Sequence, residues 1–195
     1  QRNGEIVPSA KWGSALAASK SFFESGDSAG VNASLAFFPR FPSEEQYACS
    51  AGDYEAPEVE MRPLPSGDFA VEMDKQEPNG ATPTYVALDG AIRYAQGISA
   101  TRGRDGTVAI VLVTDGLPDS TCEGNSITAV KDLAASVAPQ LPTYVIGVGA
   151  QLKRLREIAI GGGTGDAFIV SADDPAQIQR DFLAAIDSIR SSLAC

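Results

Sequence analysis

The stretch Thr107–Cys122, TVAIVLVTDGLPDSTC, decides the fold. From Val108 to Thr114 every residue is apolar or β-branched, a composition that suits a strand buried on both faces of a parallel sheet. The run then breaks into Asp115, Gly116 and Pro118, so the strand delivers a carboxylate at its end and turns. In open α/β sheets the functional crevice lies beyond the carboxyl ends of the strands, which is where Asp115 falls. A carboxylate there can equally cap the turn that follows.

Outward from this strand, apolar spacing alternates between helical and extended periods. Downstream come a helix over SITAVKDLAASVA, a strand TYVIGVG, a helix QLKRLREIAI, the glycine-rich GGGTG and a strand AFIVS. A last helix over Ala176–Leu193 sets Ile178, Phe182, Ile186, Ile189 and Leu193 at successive turns. Upstream, TYVALDGAIRYA places Leu88, Ile92 and Ala95 on one helical face, and DFAVEMDKQ is an ambiguous short helix. VNASLAFFP and VEMRPL read as strands, a polar connection runs between them to Gly52, and SAKWGSALAASKSFFES reads as the first helix. The alternation predicts an α/β fold: a doubly wound, mostly parallel sheet flanked by helices on both faces. Nothing divides residues 1–195 into more than one domain.

Composition excludes several chemistries. The chain has no histidine, which removes Ser-His-Asp and Cys-His nucleophile activation and the imidazole ligands of zinc and copper. Its three cysteines contain no C-x-x-C, so a metal here takes oxygen ligands: Mg²⁺, or alternatively Mn²⁺ or Ca²⁺. A formal charge of −10 disfavours nucleic acid and anionic membranes. No apolar run reaches the ~18 residues that cross a bilayer, so direct membrane insertion is not expected. The N-terminus has no signal-peptide pattern, and the expectation is a mature chain from which any export signal has gone. GVGAQL and GGGTG complete neither G-x-G-x-x-G nor a phosphate-binding loop, and close strand-to-helix turns account for their glycines. Asn32-Ala33-Ser34 fits a glycosylation triplet but opens a predicted strand, and it is discounted. The arginines of Arg93–Gly106 could meet an acidic partner; a solvated loop explains them as well.

Four stretches, taken in order, resemble von Willebrand factor A domains. NGATPTYVALDGA, Asn79–Ala91, is similar to the threonine loop of that family, with Thr82 five residues before Ala87-Leu88. IVLVTDG is similar to its fourth strand and the T-D-G that closes it, TYVIGVGA to its fifth strand, and LREIAIGGGTGDAFIVS to the helix and sixth strand beyond. The resemblance implies a metal-ion-dependent adhesion site, with Thr82 the hydroxyl ligand and Asp115 the carboxylate near a Mg²⁺ ion. It implies a binding module and not an enzyme: extracellular or on the cell surface, taking a protein or glycan ligand that presents a carboxylate. Asp119 and Glu123 could add carboxylate to that site or repel an acidic ligand.

The chain departs from the family at one point. D-x-S-x-S does not occur, and the central first strand that precedes it is missing, so QRNGEIVPSAKW looks like the loop leading into the first helix. In the family order 3-2-1-4-5-6 that strand lies between VNASLAFF and VAIVLV. A flanking segment of a longer protein or another chain would supply it, or the domain has rearranged and lost its metal. The resemblance also places Cys49 and Cys122 at the ligand-binding end of the sheet, implying a disulfide between them and leaving Cys195 for a segment outside this chain. Two other functions stand beside adhesion: a metal-free structural assembly module, and a Mg²⁺-dependent phosphoryl-transfer hydrolase using Asp115, for which no phosphate loop is present.

Overall fold

In a computed structural model, residues 10–43, 46–78, 80–102, 107–149, 152–170 and 174–193 are described. In chain order they form α1 (Ala10–Glu24), β1 (Asn32–Leu35), β2 (Val59–Pro63), α2 (Asp68–Met73), α3 (Thr84–Arg102), β3 (Ile110–Thr114), α4 (Ile127–Val137), β4 (Thr143–Val148), α5 (Leu155–Gly161), β5 (Phe168–Val170) and α6 (Pro175–Leu193). Cys195 lies outside the described residues, as do the nine residues before α1.

The strands divide into two sheets. β3, β4 and β5 pair in parallel, with Ile110 opposite Thr143 and Ile146 opposite Phe168. β1 and β2 form a separate antiparallel pair, with Asn32 opposite Pro63 and an irregularity between Ala33 and Leu35. The single sheet expected from the alternation is therefore a three-stranded parallel sheet and a two-stranded ribbon. β4 is the innermost strand: Val145, Ile146, Gly147 and Val148 are all buried, because helices cover it from both sides.

One face carries α3, α4 and α5. Leu88 and Ile92 of α3, Val130 and Ala134 of α4, and Leu155 and Ile158 of α5 close on Leu112 and Val145 of the sheet. α4 starts where Ser126 accepts a hydrogen bond from the amide of Ala129, satisfying one of the first-turn donors. The opposite face carries α1 and α6, where Ala18, Ile178, Phe182, Ala185 and Ile189 cover Ile146, Val148 and Val170. Each fully buried Ile or Phe of α6 contributes about 2 kcal/mol of transfer free energy before entropy is counted. These four buried α6 positions recur at helical spacing, and that spacing made the helix legible in the sequence.

α1 and α3 reach across both sheets. Ala15 and Ala18 of α1 pack over the parallel sheet, while Phe22 and Phe23 pack over β1 and β2. Phe23 stacks on Phe69 of α2 at 4.1 Å between ring centroids. From the other face, the Tyr94 hydroxyl of α3 accepts a hydrogen bond from the Met61 amide of β2 at 2.8 Å.

Two expectations are corrected. The connection from Pro39 to Gly52 is not a plain polar loop, since Ala48 and Ala51 are buried in it, and Ala48 packs with Tyr54, just beyond it, in one cluster with Val86 and Ala87 of α3. The Tyr54 hydroxyl holds this segment by donating to the Ala48 carbonyl and accepting from the Arg40 amide. The helix expected over QLKRLREIAI begins only at Leu155, and Leu152 before it is buried in the core as part of a turn. Gly161, the last residue of that helix, and Gly162 just after it are packing residues. A β-carbon on Gly162 would lie 2.5 Å from the Thr143 carbonyl oxygen, and one on Gly161 would lie 2.6 Å from that of Lys131.

Candidate functional site

The candidate site is built where three loops meet at the carboxyl end of β3. The first precedes α3 and carries Thr82; the second follows β3 and carries Asp115 and Gly116; the third carries Cys49. Thr114, the last residue of β3, is buried and shapes the turn: its hydroxyl donates to the Gly116 carbonyl and accepts from the Gly116 amide. That closed turn presents Asp115 to solvent. Gly116 is required by its neighbour, because a β-carbon there would lie 2.8 Å from Oγ1 of Thr82. The two predicted ligands, 33 residues apart in sequence by the difference of their numbers, thus sit on loops in contact.

Thr82 is held through its backbone, which leaves its hydroxyl on the Gly116 side. Its amide donates to Oδ2 of Asp119 at 2.8 Å. Its carbonyl accepts from the Thr84 amide at 2.8 Å and from Nδ2 of Asn125 at 2.8 Å. The same Asn125 amide nitrogen donates to the Asp119 carbonyl at 2.7 Å, and Asn125 Oδ1 accepts from the Tyr85 amide at 2.9 Å. That last bond satisfies a first-turn donor of α3 from a residue 40 positions away.

Asp119 is a tie between loops. Oδ2 takes the Thr82 amide and Oδ1 takes the Thr121 amide, so both carboxylate oxygens are engaged by backbone donors. Burial pushes its carboxyl pKa up, but hydrogen bonds from the Thr121 side chain and from the Thr82 and Thr121 amides outweigh that and hold it below the usual range. A depressed folded-state pKa means that the contribution to stability is complete above the ordinary carboxylate range and vanishes as pH falls through the depressed value. The stability advantage of the native chain over Asp119→Asn should therefore be constant at neutral pH and shrink below about pH 4. Urea midpoints measured across that range check this; a difference that does not change with pH removes the charge from the account.

Cys49 and Cys122 form a disulfide, their α-carbons 5.5 Å apart, as the resemblance implied. Cys122 is buried against Ala48, Tyr54, Val86 and Ala87, so the bond anchors the third loop to the other two. Glu123 is exposed beside it. Arg93 belongs to α3 and pairs with Asp89 and Glu55, while residues 103–106 of the arginine-containing stretch lie outside the described residues.

The donor set suits a hard cation in kind and falls short in number. A threonine hydroxyl and an aspartate carboxylate are oxygen ligands of the sort Mg²⁺ takes, but an octahedral ion needs six oxygens and keeps several as water. Among the described residues no group of three Asp, Glu, Cys or His side chains gathers around a common point. Sequence reasoning missed Asn125, which organises the loops more than any predicted residue does. An Asn two residues before a helix gives no sign of the three bonds it makes, since its partners come from segments distant in sequence. No family model matches the chain, and no curated protein matches it.

Proposed function

We propose that this chain is a ligand-binding module of the von Willebrand factor A type, with a Mg²⁺-dependent site that includes Thr82 and Asp115. The observation that supports the reading is the close approach of the Thr82 hydroxyl to Gly116, which brings the threonine loop and the T-D-G turn into contact. Thr82 and Asp115 would hold the ion, and the ion would supply a coordination position for a carboxylate of a protein or glycan partner. On this reading the chain's own residues bind and orient, and binding rather than turnover is proposed. Mn²⁺ and Ca²⁺ are the substitutes that the same oxygen donors would take.

An extracellular or cell-surface setting goes with this reading. The disulfide supports an oxidising compartment. Among the described residues no helix is long and apolar enough to cross a membrane.

A metal-free assembly module is the second reading, favoured by Asp119 and Asn125, which tie the loops with hydrogen bonds alone. Paramagnetic Mn²⁺ separates the two. Titrated into the labelled chain, it should broaden the amide resonances of Thr82, Asp115 and Gly116 before others, and Asp115→Ala should abolish that selectivity. Broadening spread evenly over the acidic surface, or unchanged in the variant, rejects the metal site and leaves the assembly reading.

A further inference from the structure

We infer that Phe41 and Tyr47 form an aromatic platform beside the candidate site, and that it receives an arginine or lysine side chain of a protein partner. The inference rests on the binding-module reading above and narrows its partner from protein or glycan to a protein with a basic segment. Residues 39–48 make an excursion within the connection between β1 and β2. The Ala48 amide donates to the Arg40 carbonyl at 2.9 Å, and Ser43 bridges Gln46 in antiparallel fashion farther along. The ring centroids of Phe41 and Tyr47 lie 5.0 Å apart, with the rings tilted by 43°. Phe41 is 42% exposed, so the pair adds its area to the surface and not to the core.

Neighbouring segments fix the platform in place. Gly80, on the threonine loop, has a φ of +93°, and a β-carbon on it would lie 2.9 Å from Cζ of Phe41, 2.9 Å from Cε1 of Tyr47 and 3.0 Å from Cγ of Pro39. The rings therefore rest on the backbone of the loop that carries Thr82. The base of the excursion is held by Arg40, whose guanidinium donates to the carbonyls of Asp53 and Ala56 and to the Glu58 carboxylate. The bond from Cys49 to Cys122 fastens the chain just beyond Ala48. Rings held in this way lose little conformational entropy when a ligand arrives.

Charge identifies the occupant. Asp53, Glu77, Asp115 and Glu123 are exposed on the loops that meet at the platform. Each is tied to it by chain or contact: Asp53 through Arg40, Glu77 through the segment leading to Gly80, Asp115 through Gly116 against Thr82, and Glu123 beside the disulfide. Among the described residues of these loops the cations are Arg40, turned onto Glu58, and Lys75, paired with Glu72, so neither offsets the acidic rim. A ring face attracts a guanidinium or ammonium group within ~6 Å of its centroid, and carboxylates around it add to the attraction. A glycan that carries a carboxylate brings negative charge alone to this rim. A protein segment brings a carboxylate for the ion and a cation for the rings.

The test titrates probes into the 195-residue chain, its disulfide intact and EDTA present. The probes are a capped nonapeptide alternating Gly and Arg, the same peptide with Glu in place of Arg, and a neutral β-glucan hexasaccharide. The arginine peptide should shift the ring resonances of Phe41 and Tyr47 before others, and the remaining probes should leave them in place. Phe41→Leu keeps an apolar side chain without a ring face and should weaken binding of the arginine peptide about threefold to fivefold. Equal affinity in Phe41→Leu means that the acidic rim acts alone, and overturns the platform. Ring shifts from the glutamate peptide or the hexasaccharide as large as those from the arginine peptide overturn the partner assigned. Ring shifts from none of the probes overturn the site. Because EDTA removes any metal, a negative result leaves the Mn²⁺ reading standing, and evenly spread Mn²⁺ broadening leaves a positive result standing.

Discussion

Replacing both cysteines, in a Cys49→Ala/Cys122→Ala variant, should lower the unfolding free energy by about 4 kcal/mol on the chain-entropy model of cross-links. The magnitude follows from the span of the bond. It closes a loop with a sequence separation of 73 residues, and the entropy denied to the unfolded chain grows with the logarithm of that length. The folded state loses packing as well, because Cys122 is 3% exposed within the cluster of Ala48, Tyr54, Val86 and Ala87. Alanine at both positions keeps that cluster apolar and leaves no thiol to mispair. Urea unfolding at neutral pH gives the number; a loss under about 1 kcal/mol would show that the unfolded chain stays compact enough to make the cross-link redundant. The bond also spans the connection from β1 to β2, the threonine loop and β3, so its loss should loosen the site before the parallel sheet.

Asn125→Ala should cost about 2–4 kcal/mol, a large effect for one exposed-looking polar residue in a loop. Three hydrogen bonds end on its side chain, and their partners are the carbonyls of Thr82 and Asp119 and the amide of Tyr85. Asn125 is 8% exposed, so water replaces these partners poorly, and the first turn of α3 loses its cap. Asn125→Asp separates the two roles. It keeps an acceptor for the Tyr85 amide but points an oxygen at two carbonyls, so it should be as destabilising as alanine at neutral pH and recover as the new carboxyl is protonated. Stability of both variants against pH, with the Thr82 amide resonance as a local probe, checks this. An Asn125→Asp variant as stable as the native chain at every pH would assign the whole effect to the cap.

The alternating apolar periods were enough to place the helices and strands of the α/β architecture, because burial on one or two faces imposes a period that local sequence must obey. β4 and α6 are the clearest cases: TYVIGV is buried almost throughout, and Ile178, Phe182 and Ile189 repeat at helical turns. The turn after β3 was legible too, since an apolar run that ends in Thr-Asp-Gly has few conformations open to it. Thr82 could be set beside that turn only through the resemblance of NGATPTYVAL to a known loop, as nothing in its own neighbours requires it.

Other features depend on contacts between segments far apart in sequence, which no local period records. Ala48 sits in a stretch that reads as polar, and it is buried with Tyr54 because α3 packs against them. Asp119 reads as a spare carboxylate near a cation, yet its oxygens are taken by the amides of Thr82 and Thr121. Asn125 reads as a loop residue and is the tie between three segments. The division of the strands into a ribbon and a parallel sheet was likewise decided in three dimensions. IVLVT says that β3 belongs inside a sheet; among the described residues it pairs with β4 alone, because hydrogen-bond pairing between strands is set by topology and not by the strand's own residues.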